Sequence, residues 1–197
     1  MHVMDRATEL RLVEGLRNGE VQAFDAVFEA YRARVFAFLL RLSRHRTLAE
    51  DLLDEVWLRL VAKAHALRPD TRLAPWLFTV ARNLYWSHRR SALFEEEQDQ
   101  ALLGLAASSA SWPSPFDLAA AGELERRVER ALAELPPQQR EVLLLVGREG
   151  LTPSEAAAVC GVTPEAMRQR LARARATLSS ALDSPRVTAA PRRSYAT

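Results

Sequence analysis

The chain has 197 residues, 48% hydrophobic and 26% charged, with a net charge of +2 and one cysteine. That length suits two small domains with modest cores, or one larger domain. Cys160 alone excludes an intramolecular disulfide and a cysteine-based metal site. No stretch approaches about 18 consecutive apolar residues and no apolar run opens the chain, so a cytoplasmic protein without direct membrane insertion is expected.

The distribution of charge says more than its total. Phe24 to Ala92 carries 12 basic against 7 acidic residues, Leu93 to Arg130 carries 3 against 8, and Gln138 to Thr197 carries 9 against 5. Basic, acidic, basic is the pattern of two polyanion-facing modules around a segment that avoids or imitates a polyanion. Lys63 is the only lysine among 27 basic residues, the bias of a GC-rich genome, so arginine count by itself is no functional signal.

Apolar spacing is helical throughout, and no strand-like alternation persists. Asn18-Gly19-Glu20 precedes Val21 to Leu42, one long helix or two. Ser43 to Thr47 is a polar break before a second helix, Leu48 to Ala66. Arg68-Pro69-Asp70-Thr71-Arg72 is a loop. A further helix runs from about Ala74 to Arg90, with Pro75 in its first turn. Residues 93–122 hold Glu95-Glu96-Glu97, a small-residue tract and Trp112-Pro113-Ser114-Pro115. That is too long for a loop within a compact domain and reads as a linker, with a weak helix near Ala101 to Ala107. From Glu123, Leu124, Val128, Leu132 and Leu135 recur at helical spacing until Pro136-Pro137. Residues 184–197 read as a disordered tail. The expected fold is all-α: a domain over 1–92, the linker over 93–122, and a four-helix helix-turn-helix domain over 123–183.

The helix-turn-helix is local chemistry. Ser154 is the expected N-cap of the first helix, and Gly161 supplies the turn. Thr163 caps the second helix, with Pro164 at its first position. At about 100° per residue, Met167, Leu171, Ala174 and Leu178 form one apolar stripe. Glu165, Gln169, Ala172 and Arg173 lie opposite, with Arg168 and Arg175 on a flank. Arginine and glutamine make bidentate contacts to guanine and adenine edges in the major groove. Arg170, nearer the stripe, suits a phosphate or an internal ion pair. Cys160 reads as a small core residue rather than a redox sensor.

Two helices of the first block carry sharper patterns. On the Leu48 to Ala66 helix, Leu52, Leu53, Val56 and Leu60 make a core side. Asp51, Asp54, Glu55 and Leu58 gather on the other, as a solvated face or a dock for a basic helix. On the next helix, Leu77, Val80, Ala81 and Leu84 form an aliphatic side, while Phe78, Arg82, Tyr85, Trp86 and Arg89 interleave aromatics with arginines. That mixture either stacks unpaired bases and tracks phosphates or belongs to a helix buried on both sides, its rings packing on Phe24, Phe36 and Phe38. A nucleic-acid enzyme would need a metal or a general base here, and His88 is the nearest candidate.

At these residues the chain resembles an extracytoplasmic-function sigma factor of the bacterial sigma-70 family. Ala49-Glu50-Asp51-Leu52, Ala74-Pro75-Trp76-Leu77-Phe78 and Ala81-Arg82-Asn83-Leu84 carry the resemblance in the first block. Leu135-Pro136-Pro137, Arg140-Glu141-Val142, Gly150-Leu151-Thr152, Arg170-Leu171 and Arg173-Ala174-Arg175 carry it in the second. The resemblance implies a promoter-specificity subunit that performs no chemistry and needs no cofactor or metal. Asp51, Asp54, Glu55 and Leu58 would bind the clamp helices of the polymerase beta-prime subunit, and the second domain would meet the flap of the beta subunit. Arg68, Asp70, Thr71 and Arg72 would form the pocket for a flipped base of the minus-ten element, and Arg82, Asn83, Trp86, Arg89 and Arg90 would line the melted strand. Glu165, Arg168, Gln169, Ala172, Arg173 and Arg175 would meet the minus-thirty-five element. An anti-sigma factor would be a further partner. The chain departs from the family pattern at Asp54, where glutamine is usual, and at Pro164 and Glu165. The departure at Asp54 keeps a second class open, a sigma-derived DNA-binding regulator that does not direct initiation, and those at Pro164 and Glu165 leave the base preference in the minus-thirty-five element open.

Overall fold

The computed structural model describes residues 4–100 and 122–183, with backbone alone from 93 to 100. The weak helix expected near 101–107, most of the linker and the 184–197 tail lie outside the described residues. The described residues are helical and contain no strand: α1 Arg6–Arg17, α2 Val21–Ser43, α3 Arg46–Lys63, α4 Leu73–Gln100, α5 Glu123–Glu134, α6 Pro137–Leu143, α7 Pro153–Cys160 and α8 Pro164–Asp183.

Helix α1 has no counterpart among the elements expected from sequence, although its signals are present. Asp5 accepts from the Thr8 amide at 3.0 Å as N-cap, and Val13 and Leu16 are buried. Gly19 (φ 76°) ends the helix in the left-handed region open to glycine. The chain then folds straight back into α2, because Gly15 allows close approach. A Cβ there would lie 2.6 Å from that of Ala23. Helix α2 is a single helix and stops at Arg44, which adopts φ 62°. His45 then caps α3 by accepting from the Leu48 amide at 3.3 Å.

Helices α1 to α4 enclose the first core. Phe38 and Phe78 meet edge to face, with centroids 5.2 Å apart. Phe24 and Phe28 pack on Trp57 at 6.3 and 4.9 Å. Helix α4 continues to Gln100, so the run beginning at Leu93 starts as helix, not linker. Phe78 is fully buried and Tyr85 is buried. The aromatic–arginine helix is therefore buried on two sides, and these two rings are core rather than base platforms.

In the second domain Pro136-Pro137 closes α5 and opens α6. One wide turn over Leu144–Arg148 then follows with π-helical bonding. The cap of α7 is Thr152, not Ser154. Its hydroxyl accepts from the Glu155 amide at 3.2 Å, and the Glu155 carboxylate accepts from the Thr152 amide at 2.9 Å. That reciprocal capping box satisfies two otherwise orphaned donors. Gly161 (φ 63°) makes the turn, and Thr163 caps α8 by accepting from the Ala166 amide at 3.2 Å. Met167, Leu171 and Ala174 are buried, as their spacing requires, and Leu178 is half-buried.

The domains dock on each other, α4 against α7 and α2 against α6. Arg140, at the centre of that contact, is 4% exposed. It donates to the carbonyls of Leu132, Ala133 and Leu135 at the end of α5. It also donates to those of Arg41 and Leu42 at the end of α2. One guanidinium so satisfies the open carbonyls of two helix C-termini, where positive charge is favoured.

Candidate nucleic-acid and polymerase interfaces

Helix α8 presents the face that the wheel assigns. Glu165, Arg168, Gln169, Ala172, Arg173 and Arg175 are all exposed, and the buried stripe fixes their direction. Arg168 is engaged within its own helix, forming a close ion pair with Glu165. The same hydrogen bond holds the Glu165 carboxyl below the usual carboxylate range. Glu165 therefore holds Arg168 against its own helix on this exposed face. Arg170 is half-buried and faces the other domain.

The loop before α4 is held by two residues that no sequence pattern singled out. Arg6 donates to the backbone carbonyls of Asp70 at 2.8 Å and Thr71 at 3.2 Å. Glu9, 5% exposed, accepts from the Leu73 amide at 2.8 Å and caps the first turn of α4 from across the fold. It also pairs with Arg6 at 2.6 Å and Arg72 at 3.2 Å. Arg68 pairs with Asp70 within the loop at 3.1 Å, and both remain strongly exposed. Arg72 reaches past Glu9 to Glu155 of α7 at 3.3 Å. An acidic residue at the buried, one-per-turn position of an amphipathic helix was the signal for Glu9. Its target was invisible without the fold.

On α4 the expected strand-facing residues divide. Asn83 and Arg90 are exposed. Arg89 is half-buried; its guanidinium donates to the Tyr85 hydroxyl at 3.3 Å and lies 5.7 Å from the Trp86 ring centroid. Arg82 and Trp86 converge on Glu141 of α6. The Arg82 Nε lies 2.8 Å from Glu141 Oε1, and the Trp86 indole donates to that oxygen at 2.9 Å. A cleft of about 360 Å³ opens beside this contact, lined by Arg82, Trp86, Arg90, Glu141, Cys160 and Arg170 among others. Burial pushes the Cys160 thiol up to about 12, so it stays protonated, as a core residue would.

On α3, Asp51, Asp54 and Leu58 are exposed, and Glu55 is half-buried in an ion pair with Arg59 at 2.7 Å. Leu58 is 64% exposed, and Val61, one turn on, is 60% exposed. Two bare aliphatic side chains beside three carboxylates form an amphipathic strip suited to a helix with both basic and apolar residues. Val61 was not picked out from the sequence.

Among the described residues no group of His, Cys, Asp or Glu could hold a metal ion. Among them, too, no helix is long and apolar enough to cross a membrane. His88 is exposed.

The family model for Sigma-70 region 2 matches residues 27–93, and that for Sigma-70, region 4 matches residues 125–178. The chain is 34% identical over 162 residues to RNA polymerase sigma factor CarQ of Myxococcus xanthus, covering 80% of this chain and 88% of that one. It is 37% identical over 147 residues to ECF RNA polymerase sigma factor EcfG of Rhodopseudomonas palustris, covering 74% and 77%. It spans 40% of the longer probable RNA polymerase sigma factor RfaY of Xanthomonas campestris, at 34% identity over 82% of this chain. Among solved structures, the sigma factor RpoE of Bartonella quintana, in complex with the anti-sigma factor NepR, superposes with a TM-score of 0.70 at 30% identity. That match covers 84% of this chain and 100% of that one. Two helical domains in this order, a capped helix-turn-helix with an exposed arginine face, and these matches together place the chain in the sigma-70 family, among the extracytoplasmic-function sigma factors, the promoter-specificity subunits of bacterial RNA polymerase.

Proposed function

We propose that this chain guides core RNA polymerase to a promoter through three surfaces of its own. The strip of Asp51, Asp54, Glu55 and Leu58 on α3 takes the clamp helices of the beta-prime subunit, and the second domain meets the beta flap. Arg68, Asp70, Thr71 and Arg72, with Arg82, Asn83, Trp86, Arg89 and Arg90, receive the opened minus-ten strand. Arg168, Gln169, Ala172, Arg173 and Arg175 read the minus-thirty-five duplex, with Glu165 tuning Arg168. The chain works in the cytoplasm and supplies specificity, while the polymerase supplies the chemistry. A partner of the anti-sigma class fits as well, since the similar Bartonella quintana protein was solved bound to one.

The observation that carries this reading is the exposed Arg168, Gln169 and Arg173 face of α8, set by a buried stripe on a helix capped at Thr163. The test is run-off transcription with core polymerase and the cognate promoter, alongside co-purification of the chain with core polymerase. The reading expects a stable complex and loss of transcript in the Arg168→Ala/Arg173→Ala variant. Unchanged transcript from that variant, or no complex with core polymerase, overturns it.

A further inference from the structure

Among the described residues, four ion pairs cross between the domains, and all have the same polarity. Arg34, Arg41, Arg72 and Arg82 come from the first domain, and Glu149, Glu129, Glu155 and Glu141 from the second. Apart from Arg140, whose guanidinium meets backbone carbonyls, the second domain thus shows the first a set of anions, the electrostatic character of a nucleic-acid backbone. Glu141 carries the mimicry furthest. A carboxylate accepts charge-assisted bonds from the same donors as a phosphate. One oxygen of Glu141 meets both the Arg82 guanidinium and the Trp86 indole nitrogen.

We propose that Glu141 is a latch: it occupies the strand-facing side of α4 as a backbone phosphate would. In the unaccompanied chain the Arg82 and Trp86 part of the minus-ten surface is thereby shut, while the other two surfaces stay open. The inference rests on the strand-binding role proposed for α4. Asp51, Asp54 and Leu58 on α3, and Arg168, Gln169 and Arg173 on α8, are exposed in the same docked arrangement. Polymerase can therefore meet α3 before the domains part.

The contact has the character of one made to open. Glu141 is 1% exposed but borders the cleft beside Arg82, and Arg82 Nε approaches it without hydrogen-bond alignment. Taking an ion pair out of water gives back part of what the pairing gains. The flanking pairs are only partly covered; the Arg34 and Arg41 side chains are 27% and 20% exposed. Polar domain contacts of this kind behave like transient interfaces.

The test uses the full chain with spin labels at Ala62→Cys and Ala176→Cys, one exposed position in each domain, and a fluorescent oligo(dT) strand as probe. A Glu129→Gln/Glu141→Gln/Glu149→Gln variant removes three of the anions. A Glu14→Gln/Asp25→Asn/Glu29→Gln variant removes the same charge from exposed sites of the first domain. The latch expects the first variant to bind oligo(dT) about ten-fold tighter than both wild type and the charge control. It also expects a longer label-to-label distance in that variant alone. If that variant loses helical circular dichroism, Arg34→Gln/Arg41→Gln breaks the contact from the other side and carries the same expectation. Equal oligo(dT) affinity in the wild-type and opened chains overturns the latch, as does a wild-type distance already equal to that of the opened variant. Failure of the strand-binding reading looks different: promoter opening by the assembled holoenzyme would then be unchanged by Arg82→Ala.

Discussion

Arg140 on α6 donates to the Leu42 carbonyl at the end of α2 over 3.1 Å, a bond between residues of different domains. Burial, followed by the nearby charge of Arg44, lowers the guanidinium to about 10, still far enough above neutrality to keep it a cation. Arg140→Ala would leave carbonyls of two helix ends without their donor. The expected loss is about 2–4 kcal/mol, read as a lower thermal midpoint. Arg140→Lys should recover less than half of it, because one ammonium cannot reach five carbonyls. A midpoint within error of wild type for Arg140→Ala would refute this role.

Glu165 and Arg168 set up a second prediction. Releasing Arg168 with Glu165→Gln should tighten binding to the minus-thirty-five duplex, through loss of a competing helix pair and a repelling charge. Arg168→Ala or Arg173→Ala should each cost about 1–3 kcal/mol in the same assay. Fluorescence anisotropy with a labelled duplex measures both, and tighter binding by Arg168→Ala would contradict the assignment.

Leu58 tests the polymerase face. An aliphatic side chain that is 64% exposed in the free chain becomes useful when a partner covers it. Leu58→Ala should weaken binding to core polymerase by about 1–2 kcal/mol and leave the thermal midpoint of the free chain nearly unchanged. A changed midpoint with intact polymerase affinity would make Leu58 structural instead.

Glu149 should give the stability a measurable pH slope. Burial pushes its carboxyl up, and the Arg34 hydrogen bond only partly opposes this. A carboxyl raised in the folded state binds its proton more readily there than in the unfolded chain. Its contribution is therefore full below the unfolded value and lost as pH rises through the folded one. The melting temperature of wild type relative to Glu149→Gln should climb as pH falls from neutral toward the ordinary carboxyl range, then level off. A difference that shrinks on acidification would reverse the sign and reject the account.

Gly161 holds the helix-turn-helix turn at φ 63°, and a methyl group added at its Cα would meet nothing within 4 Å. Gly161→Ala should therefore cost about 1–2 kcal/mol from backbone strain alone. Chemical denaturation measures it, and a stabilised variant would show that the turn is not under this constraint.

The helix-turn-helix was legible from the chain because its determinants are local. Gly161, Thr163 and Pro164 act within a turn of themselves, and the stripe of Met167, Leu171 and Ala174 leaves only one way for α8 to face. Only the start of α7 was misplaced, at Ser154 for Thr152, since the capping box depends on Glu155 reaching back. The α3 strip was legible for the same reason, as spacing alone sets its acidic residues and Leu58 together. Other features needed partners distant in sequence. Whether Phe78 and Tyr85 stack on bases or pack inside depended on Phe38 and the helices around them. The periodicity of α4, apolar on one side and aromatic on the other, fits either arrangement. Glu9 and Arg6 gained their meaning only when α1 came to lie beside the loop before α4.

By itself, then, the sequence determined helix faces, caps and the order of the two domains, because hydrophobic period and cap chemistry act over a few residues. Only the tertiary structure decided what those faces meet. Glu141 and Arg82 are 59 positions apart, and nothing in either's neighbourhood announces the other. Their pairing exists because docking α6 and α7 on α2 and α4 removes the Glu141 carboxylate from water, and a charge so removed must find its opposite.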